Sequence, residues 1–232
     1  MLRRLFGEFI GTALLLIAVV GSGIAAQRLS PGDTGLELLE NSAATGVALI
    51  AIILAVGPVS GAHLNPVVSL ADRVLGGMTS SEMLAYWIAQ VAGGIVGTIL
   101  ANLMFGLGAV EISSKARAAP GLRLGEVIAT FGLLLVIFGV VRSGRASVAA
   151  FAVGAYIAGA YWFTSSTSFA NPAVTVARVF SNTFAGIAPG SVAAFVAAQL
   201  VGCLLAVGAV RVLYPRIGIV AEQVVVPKEV SG

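Results

Sequence analysis

Charge is scarce in this chain. Only 10% of its 232 residues are Asp, Glu, Lys or Arg, while 58% are hydrophobic. Charged residues make up about a quarter of an ordinary soluble domain, so a water-exposed globule is excluded and a membrane protein is indicated. The 13 Lys and Arg are scattered rather than run together, which gives no surface for nucleic acid. The lone cysteine, Cys203, excludes an internal disulfide. It lies in an apolar run, where packing is its ordinary use. The lone histidine, His63, excludes a His-rich metal site. No metal and no cofactor is expected.

Long apolar runs are abundant. A membrane span needs about 20 mostly apolar residues, and six stretches qualify: Leu5–Ala26, Asn41–Val59, Met83–Leu107, Leu124–Val141, Ala146–Phe163 and Ser191–Leu213. The first follows two arginines and mimics a signal peptide, but its length and the later spans favour an uncleaved helix. With the N-terminus inside, Arg3, Arg4, Arg73, Arg142, Arg145, Arg211, Arg216 and Lys228 face the cytoplasm. Arg28, Lys115, Arg117, Arg123 and Arg178 then face outward. Eight against five is a modest positive-inside bias. It places both termini on the cytoplasmic side of a multi-pass protein of the cell (inner) membrane.

Two apolar stretches are too short to span: Asn65–Leu75 and Asn171–Ser181. As helix, each covers roughly 16 Å, about half of a ~30 Å hydrocarbon core. They belong to matched halves of the chain. "GEFIGTALLL" at Gly7 matches "GEVIATFGLLL" at Gly125, "AHLNPVVSLADRV" matches "SFANPAVTVARV", and Gln90 matches Gln199. The offsets are 118, 106 and 109 residues (125 − 7, 171 − 65, 199 − 90). Each half, about 1–108 and 120–214, holds three spans and one half-span, with a short tail over 215–232. Three is odd, so the second copy inserts upside down: an inverted repeat whose half-spans meet near the midplane. The predicted fold is one all-α membrane domain of six transmembrane helices and two re-entrant half-helices.

The half-spans open on Asn-Pro. Asn is a favoured helix N-cap and Pro a favoured first helical residue. Asn65 and Asn171 would therefore start two half-helices whose positive ends converge on one spot. That spot repels cations. The Asn amide groups offer donors to a neutral oxygen. The segments before the boxes, "VSGAHL" and "TSSTSFA", would be irregular backbone, tolerated at membrane depth only where it is buried in protein or lines a polar cavity.

"SGAHLNPVVS" and "NPAVT" resemble the paired Asn-Pro-Ala boxes of the aquaporin and aquaglyceroporin family, with Val67 in place of Ala in the first box. The resemblance covers about Leu5 to Leu213. It implies a pore in each subunit, a homotetramer, and passive movement of water or small neutral solutes across the bilayer. It also implies a second constriction, at positions that fall on Thr45, Gly159, Ser168 and Val174. Tyr161 or Trp162 replaces Gly159 if the register of that span slips. Narrow members carry an aromatic, a His and an Arg here; this chain would have Thr45, Gly159 and Val174 instead. The gate is then wide and lacks a guanidinium. The resemblance thus extends to the bacterial branch without the filter Arg, the arsenic-related facilitators. Arg178, one helical turn past Val174, either leans into the mouth or snorkels to the interface.

Glu8 and Glu126 occupy equivalent places. They are either acids at helix starts or, as the resemblance implies, buried carboxylates that hold the re-entrant loops. His63 is read as a hydrogen-bonded loop residue. Two functions follow. One is a passive channel for small uncharged solutes: arsenite and methylated arsenicals or glycerol, with water. The alternative is an ion-coupled secondary transporter, which would also use broken helices, but no carboxylate lies at the midplane breaks to bind the ion. An enzyme is not expected, since no nucleophile–base pair lies there either.

Overall fold

The computed structural model describes residues 1–215. The tail expected from 215 onward, with Arg216 and Lys228, lies outside the described residues except for Pro215. All regular structure among the described residues is helical: α1 (Leu2–Leu29), α2 (Thr34–Ser60), α3 (Pro66–Leu75), α4 (Ser80–Met104), α5 (Pro120–Arg142), α6 (Ala149–Phe163), α7 (Pro172–Ala177) and α8 (Pro189–Leu213). Single 3-10 turns, Ala146–Val148 and Arg178–Phe180, precede α6 and follow α7. Six helices are long and apolar enough to cross a membrane.

Several helices begin earlier than hydropathy predicts, because their first turns are polar and capped. At α2, Asp33 accepts the backbone N–H of Leu36 at 2.9 Å, so the helix starts at Thr34 rather than Asn41. At α4, Thr79 and Glu82 form a reciprocal capping box: Glu82 N donates to Thr79 Oγ1 at 3.2 Å, and Thr79 N to Glu82 Oε2 at 2.9 Å. Prolines open α5 and α8.

The first half packs α1 against α2 and α4; the second packs α5 against α6 and α8. Contact at equivalent places depends on glycine. A Cβ at Gly93 or Gly97 of α4 would collide with the backbone of Phe9 or Ala13 on α1. A Cβ at Gly202 of α8 would lie 2.5 Å from the Val127 carbonyl oxygen on α5. The helix axes can approach only because these positions carry no side chain. Across the halves, α2 packs on α6, and α3 meets α7 at their N-terminal tips. The half-helices differ in length. The second was expected to run to Ser181, but its α-helical part ends at Ala177 and tightens into the 3-10 turn.

Candidate functional site

The site forms where the tips of α3 and α7 meet. Asn65 caps α3 by accepting Val67 N at 3.0 Å. Asn171 caps α7 by accepting Ala173 N at 2.9 Å and Val174 N at 3.3 Å. The other end of each amide crosses to the opposite half. Asn65 Nδ2 donates to Ala170 O at 2.8 Å, and Asn171 Nδ2 donates to Leu64 O at 2.8 Å. A primary amide has two N–H donors, and one from each Asn is tied across to the opposite half in this way.

The loops that present these tips are bent sharply. Ala62 and Leu64 in one, and Ser168 and Ala170 in the other, have φ between 48° and 50°. Non-glycine residues avoid this region unless their surroundings hold them there. Two buried carboxylates do so. Glu8 accepts Ser60 Oγ (2.6 Å), His63 N (3.0 Å), Leu64 N (2.7 Å) and Gln90 Nε2 (2.7 Å). Glu126 accepts Phe169 N (2.9 Å), Ala170 N (2.9 Å) and Gln199 Nε2 (2.6 Å). Each glutamine is anchored a second time, Gln90 on Ser69 and Gln199 on Thr175. Sequence reading did not assign this role to the glutamines, although their matched spacing had marked them.

A cavity runs past both asparagines. One wall is apolar: Leu15, Val19, Leu49 and Ile53 from the first half, Leu133, Ile137, Val153 and Ile157 from the second. The other is built by loop residues Ala62, His63, Leu64, Ser168 and Phe169. The His63 ring is held by Ser69 (Nδ1 to Oγ 3.0 Å), lies 3.7 Å from Asp72 through Nε2, and meets Tyr86 edge-on at 5.3 Å.

Beyond Asn171 the cavity is lined by Thr45, Tyr161, Ser168, Val174 and Arg178. Tyr161 donates to Thr45 Oγ1 at 3.4 Å. The Arg178 guanidinium lies over the Phe169 ring, 3.5 Å from its centroid, and its Nε donates to Ala185 O. Arg117 stacks on the same ring at 4.8 Å and donates to Gly186 O at 3.0 Å. Arg117 lies in the connection between α4 and α5, and burial lowers its pKa to about 10. Near it, burial and the charges of Arg117 and Arg178 lower the Lys115 ammonium to about 8.

A family model described as Major intrinsic protein matches residues 1–168. The chain belongs to the major intrinsic protein family. Similar members include aquaglyceroporin AqpS of Rhizobium meliloti, 49% identical over 90% of this chain and 89% of that protein. The glycerol uptake facilitator protein of Streptococcus pneumoniae is 31% identical over 68% of this chain and 74% of its own length. Among solved structures, the aquaglyceroporin of Plasmodium falciparum superposes with a TM-score of 0.71, covering 94% of this chain and 99% of that one at 23% identity. The chain is therefore a multi-pass membrane protein of a channel family and not an enzyme.

Two expectations drawn from the resemblance to major intrinsic proteins need correction. Gly159 lies on the outward face of α6, away from the cavity; Tyr161 and Ile157 face inward instead. No motif anchors the register of α6, and a helix so apolar on every side gives no periodic clue. The other correction concerns the guanidinium. Val174 does line the cavity, but Arg178 lines it too, and at 2% exposure it does not snorkel. The major intrinsic protein cavity of this chain is thus not devoid of arginine.

Proposed function

We propose that the chain is a passive channel for small uncharged solutes that carry several hydroxyls: arsenous acid and its methylated relatives, glycerol, and water. The observation that carries this reading is the two-sided cavity. Apolar helix walls face a loop wall on which two asparagine amides meet. A neutral polyol can lay its carbon face on one wall and hydrogen-bond along the other. A cation would meet two helix N-termini and lose its hydration shell without replacement.

In this reading Asn65 and Asn171 form the midplane barrier, and Glu8, Glu126 and His63 hold the loops. Thr45, Ser168 and Val174, with Tyr161, form the outer constriction. Val174 supports the arsenical assignment: a methyl group that replaces one hydroxyl packs favourably against an apolar side chain. The chain is a single domain of two inverted repeats, with both termini cytoplasmic in the inner membrane, and it assembles as a homotetramer.

The test is a stopped-flow panel in proteoliposomes: water, glycerol, arsenous acid and a methylated arsenical, with and without the protein. Facilitated flux of the hydroxylated solutes, without dependence on an ion gradient, is expected. Water flux alone refutes the solute assignment.

A further inference from the structure

Arg178 has a counterpart in the other half of the chain. The offset that relates Asn65 to Asn171, 106 residues, also relates Asp72 to Arg178 and His63 to Phe169. Each half therefore holds a charged residue about two turns beyond the N-cap of its half-helix, set beside an aromatic ring of its own loop. Asp72 lies 3.7 Å from His63, and the Arg178 guanidinium lies 3.5 Å from the centre of Phe169. A second ring braces each pair: Tyr86 meets His63 edge-on at 5.3 Å, and Phe195 meets Phe169 at 5.2 Å. The two charged residues are 1% and 2% exposed. Arg178 is thus held in a braced position that recurs in the other half.

Its environment is unusual. Among the described residues, neither Arg178 nor Arg117 has a carboxylate within salt-bridge distance, although both stack on one ring. Arg178 Nη1 is buried and has no protein partner, and the same is true of Ser168 Oγ. Buried donors are ordinarily paired, because an unpaired one costs about 1–3 kcal/mol. Both residues line the cavity, where a passing solute can supply the missing acceptor.

We propose that Arg178 is a specificity-determining residue of the channel, reading solute hydroxyls one helical turn, ~6 Å, beyond Val174. The constriction is thereby split into two levels. At Val174 it is apolar. At Arg178 it offers a fixed guanidinium, with Ser168 beside the passage. This arrangement selects neutral molecules that have an apolar face and a hydroxylated edge. It limits their width by the stacked Arg178–Phe169 pair. The inference rests on the channel reading given above.

The full-length protein and its Arg178→Gln and Arg178→Lys variants are reconstituted, and glycerol, a five-carbon polyol and water are compared. Taking the ratio of polyol to water flux cancels differences in protein yield. Arg178→Gln is expected to raise the five-carbon ratio at least ~5-fold and to admit a measurable cation leak, because the guanidinium stack and its charge are both lost. Arg178→Lys keeps the charge and should show the higher ratio without the leak. Ratios equal to the native value in both variants, with native elution and thermal stability, overturn the inference. If neither variant folds, methylglyoxal modification of the native protein decides, with sites mapped by mass spectrometry. Glycerol-protected modification of Arg178 supports the role, and an unmodified or unprotected Arg178 overturns it. A native protein that moves no glycerol would instead refute the channel assignment.

Discussion

Replacing Glu126 with glutamine changes one oxygen into an NH₂ group and almost nothing in shape. Oε1 accepts Phe169 N at 2.9 Å, and Oε2 accepts Ala170 N at 2.9 Å and Gln199 Nε2 at 2.6 Å. The single amide oxygen of glutamine does least harm in place of Oε2. Its NH₂ then faces the Phe169 N–H, donor against donor. One buried N–H left unpaired costs about 1–3 kcal/mol, and two further bonds fall from charge-assisted to neutral strength, about 0.5–1 kcal/mol each. The total is about 2–5 kcal/mol, localised on the loop before Asn171. Gln199 stays in place through Thr175, 2.8 Å away, so the damage should not spread into α8. At 1.4 kcal/mol per tenfold, amide exchange at Phe169 and Ala170 should accelerate by roughly 30- to 4,000-fold, while peptides from α1 stay protected. Hydrogen exchange read by mass spectrometry in detergent measures this, with the melting temperature alongside. Unchanged exchange at Phe169 and Ala170 would show that the carboxylate does not hold the loop.

Asn65→Asp or Asn171→Asp places a carboxylate between the converging helix ends and should admit a cation current absent from the native protein; planar-bilayer recordings check it. Val174→Arg adds a second guanidinium one turn from Arg178 and should depress glycerol flux at least ~5-fold more than water flux in proteoliposomes, because the longer side chain fills the Val174 level and places a like charge beside the one at Arg178. Lys115 should react with amine-directed anhydrides with a midpoint near pH 8, lowered by burial, Arg117 and Arg178. The sign follows from the cause: neighbouring positive charge favours the neutral amine. Arg178→Gln should therefore move that midpoint upward, as read by mass spectrometry across a pH series.

The Asn-Pro boxes were legible because capping preference and helix-opening proline act locally, and the structure shows both asparagines as N-caps. Glu8 and Glu126 were legible through their equivalent positions, but the atoms they bind, loop amides 43 to 56 residues away, follow only from the packed fold. Helix starts at Asp33 and Thr79 were missed although the signal was present: a cap and a capping box sit before residues that hydropathy discards. Gly159 misled because α6 carries no motif from which to count. For Arg178 the sequence left two placements open, the outer mouth and the interface. Its burial depends on Phe169 and Arg117, from two other loops, and their meeting is a property of the assembled molecule.

The crossed asparagine bonds bear on how the protein is made. Asn65 donates to a carbonyl 105 residues further along the chain. At ~5–20 residues per second, a ribosome takes roughly 5–20 s to reach it. During that interval the first half can insert and fold its half-helix, but the far side of its lumen does not yet exist. The conducting path closes around itself only when the second half arrives and returns the bond through Asn171 to Leu64. Neither half alone supplies both asparagine caps or both sets of cavity-lining residues, so the lumen is a joint product of two stretches made seconds apart.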